Sequence, residues 1–123
     1  KQAAQMARWL REHLPEDTRV IVSPARRAQE TAQALTSDFE TTEAVAPGAT
    51  HEAVLAASHW PQARRAVLVV GHQPTLGQVV AALISGTPSE WLIKKGGMCW
   101  ITRRLRSGQA QVLLRAVMSP EFL

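Results

Sequence analysis

Residues 66–83 read AVLVVGHQPTLGQVVAAL. A β-branched apolar run, Val67 to Val70, stops at Gly71, presents His72, and turns through Pro74 into a helical repeat of apolar residues. A short run without polar alternation predicts a strand buried on both faces, as in a parallel sheet. His72 then falls just past the carboxyl end of that strand, where open α/β sheets keep their ligands.

A second segment repeats the pattern. Arg19-Val20-Ile21-Val22 is a strand signal that ends at Ser23-Pro24. Ser23 suits a helix N-cap and Pro24 the first helical position, so a helix is expected from Pro24 to about Leu35, with Arg26 and Arg27 in its first turn. Both predicted strands thus run directly into proline-initiated helices. Each brings a group able to carry positive charge to the same sheet edge: Arg27 one turn into its helix, His72 just before the other. Helix N-termini with free backbone N–H groups, a guanidinium and an imidazole together form an anion pocket. Arginine grips a phosphoryl group bidentately, so phosphate is the expected ligand. Arg27 shares a helical face with Thr31, whereas Arg26 points elsewhere.

The remaining chain fills in the layers. Ala3, Met6, Ala7, Leu10 and Leu14 recur at helical spacing, predicting a helix from Lys1 to Leu14 that Pro15 stops. Glu43-Ala44-Val45 is expected to form a short edge strand, and Thr50 to cap a helix reaching about Trp60. The helix after Pro74 should bury Leu76, Val79, Val80, Leu83 and Ile84. Met98–Leu105 and Gln109–Val117 alternate around the turn Ser107-Gly108, predicting an antiparallel hairpin. The order describes an α/β protein: a three-layer α/β/α sandwich with a mostly parallel sheet and an antiparallel edge hairpin. With 123 residues and no repeat or linker, the expectation is one domain, residues 1–123. Lys1 is not a start methionine, and no capping residue precedes the first helix, so further residues are expected before it.

Composition narrows the function. Hydrophobic residues make up 46% and charged ones 20%, as in ordinary globular chains, and no apolar run is long enough for a membrane span. The net charge of +4 favours acidic partners, yet the basic residues are scattered in pairs, tyrosine is absent, and phenylalanine occurs twice. Without a basic stripe or stacking platform, nucleic acid is not an expected partner. The single Cys99 excludes an internal disulfide and suits a cytoplasmic location. His51 and His59 lie eight residues apart rather than four, and no acidic or cysteine ligand completes a set, so neither a metal nor another cofactor is expected. Cys99 does not head a C-x5-R loop, because Leu105 stands where the arginine is needed.

The segment Ser23-Pro24-Ala25-Arg26-Arg27-Ala28-Gln29-Glu30-Thr31, of form S-P-x-x-R-A-x-x-T, together with V-G-H-Q-P at Val70–Pro74, resembles the histidine phosphatase superfamily, also called phosphoglycerate mutase-like. The short chain, Ala46-Pro47-Gly48-Ala49, Lys95-Gly96-Gly97 before the hairpin, and Met118-Ser119-Pro120 resemble its small SixA branch of phosphohistidine phosphatases. That resemblance implies a phosphoglycerate mutase-like fold and hydrolysis through a phosphohistidine enzyme intermediate. By match of motif, Arg27 and His72 would be catalytic and would bind the transferring phosphoryl group, with Gln73 offering its backbone N–H to the same oxygens. The family's nucleophile lies in an Arg-His-Gly motif, which residues 1–123 do not contain. It is therefore expected upstream of Lys1. None of His13, His51 and His59 follows an arginine at a strand end, and the proton donor is open between Glu52 and an upstream acid. The implied substrate is a phosphomonoester or phosphoramidate, foremost phosphohistidine on a protein. The alternatives are a non-catalytic module binding a phosphorylated partner, and a phosphosugar mutase.

Overall fold

A computed structural model describes residues 2–123. In chain order it comprises α1 (Gln2–His13), β1 (Arg19–Val22), α2 (Arg26–Leu35), β2 (Glu40–Thr41), α3 (His51–Ala57), β3 (Val67–Val70), α4 (Thr75–Ser85), β4 (Met98–Arg106) and β5 (Gln109–Met118). Single 3-10 turns cover Glu43–Val45 and Pro120–Phe122. The predicted start of α1 at Lys1 lies outside the described residues.

Three strands form a parallel sheet in the order β2-β1-β3, and β4 and β5 form a separate antiparallel pair. Strand alternation divides the core into two layers. On one face Val20 and Val22 pack with Leu68 and Val70 against Ala28 and Ala32 of α2. On the other, Ile21, Val67 and Val69 meet Val54 of α3, Val79 of α4 and Val45. α1 lies on α2, burying Met6, Ala7 and Leu10, and its Arg11 donates to the Ala34 carbonyl at 2.8 Å, satisfying an open carbonyl at the end of α2. Helices on both faces of the sheet make the predicted three-layer sandwich. β1 is deeply buried, but β3 pairs only with β1 among the described residues and is half-buried along its length. The two-sided burial expected of β3 is therefore incomplete.

Several expected boundaries move for local reasons. The short parallel strand is Glu40–Thr41, paired with Ile21 and Val22, rather than Glu43–Val45. After Thr42 donates its N–H to the Val22 carbonyl, its Oγ1 accepts from Ala44 N–H and curls the chain into a 3-10 turn. That turn drops Val45 into the core. α2 begins at Arg26 because Ser23 turns its hydroxyl to Ala25 N–H instead of capping a helix starting at Pro24. α3 is capped by Thr50 as expected but ends at Ala57. There His59, at φ 58°, takes the left-handed position of a Schellman ending, with His59 N–H on the Ala56 carbonyl and Trp60 N–H on that of Leu55. In α4 the buried positions are Thr75, Gly77, Val79 and Ala81, while Ile84 is exposed.

The hairpin closes through Ser107 and Gly108, both at positive φ, the backbone of a type I′ turn. A bulge beside Trp100 places Arg115 over its ring, 4.4 Å from the centroid, and Trp9 of α1 meets the same indole edge-on at 6.4 Å. These contacts join the hairpin to α1, and β5 also packs against α4.

Candidate active site

The register between β1 and β3 builds the site. Val22 pairs with Val70, so the residues that follow them, Ser23 and Gly71-His72, emerge together from the carboxyl edge of the sheet. Ser23 N–H donates to the Val70 carbonyl at 3.0 Å and extends the ladder by one residue. Its carbonyl accepts from Gln29 Nε2 at 2.8 Å, and the same amide donates to Thr41 Oγ1 at 3.0 Å. Strand, helix and neighbouring strand thus fix the Ser23 backbone, and its side chain has no exposure. Ser23 Oγ accepts from Ala25 N–H at 3.1 Å and lies 2.7 Å from His72 Nε2.

The opposite wall is the entry to α4. The His72 carbonyl accepts from Leu76 N–H at 2.9 Å, closing the turn into the helix. Thr75 Oγ1 donates to the Ala49 carbonyl and ties that turn to the start of α3. The Gln73 side chain accepts from Gly77 N–H at 2.8 Å through Oε1 and donates to the Trp91 carbonyl at 3.0 Å through Nε2. Its amide is thus a tether between α4 and the following loop, a role that no local pattern in the sequence signals. His72 is half-buried, with Nε2 on Ser23 and Nδ1 as the other ring atom able to meet a ligand.

Arg27 stands in the first turn of α2, exposed, four residues beyond Ser23. Among the described residues no ion pair engages it, whereas neighbouring Arg26 donates to Glu30 at 3.3 Å. Two helix starts, α2 and α4, flank this sheet edge, and the positive ends of their dipoles favour an anion. The structure therefore brings His72 into contact with Ser23, the residue heading the Arg27 segment. The other histidines are elsewhere: His13 stacks on Trp9 at 4.2 Å, His51 pairs with exposed Glu52 at 3.3 Å, and His59 ends α3. Burial pushes the Cys99 thiol up, away from the thiolate form. Among the described residues no three His, Cys, Asp or Glu side chains cluster as a metal site would require, and no helix is long and apolar enough to cross a membrane.

Ser23 is the residue at this edge that local sequence patterns do not disclose, because its hydroxyl reads locally as a helix cap. Its contact with His72 spans 49 residues and depends on strand register.

No protein-family model matches the chain, and no curated protein sequence matches it significantly. Solved structures do. A protein histidine phosphatase SixA complexed with tungstate is 28% identical, with a TM-score of 0.69, over 98% of this chain and 80% of that one. A protein assigned as a phosphohistidine phosphatase SixA from Nakamurella multipartitia is 23% identical with a TM-score of 0.74, over 97% of this chain and 80% of that one. One assigned as an α-ribazole-5′-phosphate phosphatase from Escherichia coli is 22% identical with a TM-score of 0.64, over 97% and 81%.

Proposed function

We propose that this chain, which has the fold of the SixA-type histidine phosphatases, is a phosphatase that hydrolyses phosphohistidine on a protein through a phosphohistidine enzyme intermediate. The observation that carries the reading is the meeting of His72 and the Ser23–Arg27 segment at the carboxyl edge of β1 and β3, between two helix N-termini. The likeness to a SixA that binds tungstate, a tetrahedral oxyanion shaped like phosphate, supports an oxyanion at this edge.

In this reading residues 1–123 form a single domain that supplies the stabilising wall of the pocket. The nucleophilic histidine comes from outside these residues. Its imidazole nitrogen attacks phosphorus as the bond to the leaving group breaks, and an acid returns a proton to that group. Water then attacks the phosphoryl group, cleaves the P–N bond, and releases inorganic phosphate with the histidine restored. Arg27 and His72 hold the equatorial oxygens in both steps, with the Gln73 backbone N–H as a further donor. Because charge spreads over those oxygens in the transition state, positioning and fixed donors supply most of the rate. The protein is read as cytoplasmic, acting on phosphorylated proteins without a bound cofactor.

The test is trapping. Incubation with a phosphohistidine protein labelled at phosphorus should leave acid-labile, alkali-stable label on one histidine of the enzyme, with release of phosphate unaffected by chelators. Turnover without a labelled histidine, or a strict need for a divalent metal, would sink the reading. One rival is a module that binds a phosphorylated partner without cleaving it, which absence of an Arg-His-Gly motif from the intact protein would favour. Saturable oxyanion binding with no phosphate release would establish that alternative.

A further inference from the structure

We infer that Ser23 is a positioning residue that fixes the tautomer of His72. The argument is an account of one hydroxyl proton. A serine hydroxyl has one proton to give and two lone pairs to receive. Ala25 N–H, at 3.1 Å, occupies one lone pair of Ser23 Oγ. His72 Nε2 lies 2.7 Å away on the other side, and the side chain is fully shielded from solvent. If His72 carried its proton on Nε2, that N–H would take the second lone pair. Among the described residues the serine proton would then have no acceptor, in a place without exposure, and an unmet buried donor is costly. The consistent assignment has Ser23 Oγ–H donating to Nε2, with the imidazole proton on Nδ1.

The surroundings leave Ser23 little freedom to do otherwise. Its N–H is held by Val70, its carbonyl by Gln29, and its Oγ by Ala25, so the hydroxyl oxygen is a fixed point. An imidazole prefers a tautomer according to the hydrogen bond made by its second nitrogen. Ser23 makes that bond from the opposite side of the ring and leaves Nδ1–H as the donor to a ligand. Resting on the phosphatase reading above, this N–H is the one offered to a phosphoryl oxygen. The wrong tautomer would present a lone pair to a negatively charged group. Ser23 touches no reacting atom in this role, and acts entirely through His72.

The experiment is nitrogen-15 spectroscopy of the histidine side chains at a pH where His72 is neutral, with its signals identified by their loss in His72→Gln. In the wild type Nε2 should be unprotonated and Nδ1 protonated, an outcome that needs no variant to fold. In Ser23→Ala the protonated atom should become Nε2, while Ser23→Thr, which keeps the hydroxyl, should retain the wild-type pattern. Turnover of a phosphohistidine peptide should fall about tenfold to a hundredfold in Ser23→Ala, by analogy with outer residues that orient a liganding histidine, and recover in Ser23→Thr. Protonation of Nε2 in the wild type, or an unchanged tautomer in Ser23→Ala, would overturn the inference. A tautomer that shifts as described in a protein without phosphatase activity would uphold the Ser23–His72 relation and overturn the phosphatase reading alone.

Discussion

Gly77 lies against the backbone of Trp91 so closely that a Cβ built on Gly77 would overlap the Trp91 carbonyl oxygen. The same carbonyl accepts from Gln73 Nε2, whose Oε1 in turn caps Gly77 N–H. One turn of α4 therefore has a loop backbone clamped onto it, directly beside the His72 turn. A buried helical glycine here is a matter of space, because nothing larger than hydrogen fits beneath the carbonyl.

Gly77→Ala should consequently reverse the usual order of helix propensity. In an open helix interior, alanine is better than glycine by about 1 kcal/mol. At this position the overlap must move either α4 or the Trp91 segment, and overpacking of this kind costs about 1–3 kcal/mol. Urea denaturation should show a lower midpoint for Gly77→Ala with an unchanged slope. A more stable variant would mean that the Trp91 loop is not seated on α4.

Arg19 and Glu40 give the protein an acid-sensitive joint. Arg19 donates to both carboxylate oxygens, at 2.8 and 3.0 Å, and to the Ala57 carbonyl at 2.9 Å, linking the starts of β1 and β2 to the end of α3. The guanidinium hydrogen bond holds the Glu40 carboxyl below its ordinary value of 4.5. A carboxyl depressed in the folded state makes the unfolded state bind more protons, so stability rises with pH across that interval. The contribution is complete above about 4.5 and is lost as pH falls through the lower folded value. Midpoints of urea unfolding measured for wild type and Glu40→Gln should differ by a constant amount at neutral pH and converge in acid. A gap independent of pH would show that the pair contributes nothing through ionisation.

His59 occupies a position built for glycine. Its φ of 58° ends α3 in the left-handed conformation, which costs an ordinary residue about 1–2 kcal/mol. His59→Gly removes that strain and adds flexibility to the unfolded chain worth roughly 0.5–1 kcal/mol, so stability should hold or rise slightly. His59→Val, with a branched Cβ, should lower it. Thermal unfolding of the two variants separates this backbone role from any function of the imidazole, since a side-chain role would make both variants worse.

What the sequence disclosed divides by range. The runs Arg19–Val22 and Val67–Val70, the stripe of α1, the Thr50 cap and the Ser107-Gly108 turn are set by neighbours within a few residues, and each was legible as such. The second strand was displaced from Glu43–Val45 to Glu40–Thr41 because the choice depends on which residues reach the edge of β1, and Thr42 ends that pairing. Ser23 had a plausible local reading as a helix cap that a tertiary contact overrode, and nothing local announces the tertiary roles of the Gln73 side chain and of Gly77. Ser23 turns to a histidine 49 residues away, and Gln73 and Gly77 serve Trp91 across the pocket wall. His72 and Arg27 stood out because their strand-to-helix turns repeat one design, but their common edge follows from the Val22–Val70 register, which no single segment encodes.

Adjacent arginines provide the sharpest test of that edge. Arg26 is 91% exposed and pairs with Glu30 on the surface of α2, an arrangement worth little in water. Arg27, one helical step further, shares its face with Thr31, whose hydroxyl bonds back to the Arg27 carbonyl at 3.0 Å. If the oxyanion sits between the starts of α2 and α4, only Arg27 loses a transition-state donor on truncation. Removal of one such donor typically costs a hundredfold or more, about 3 kcal/mol. In the active protein, Arg27→Ala and His72→Ala should each lower kcat/KM toward a phosphohistidine peptide by at least about this factor. Arg26→Ala should stay within about threefold of wild type, since a surface pair contributes well under 1 kcal/mol. Circular dichroism of all three should match the parent, because none of these side chains belongs to the buried core. Equal losses in Arg26→Ala and Arg27→Ala would point to a diffuse attraction of the substrate by charge. Near-normal turnover in Arg27→Ala would remove that guanidinium from the pocket.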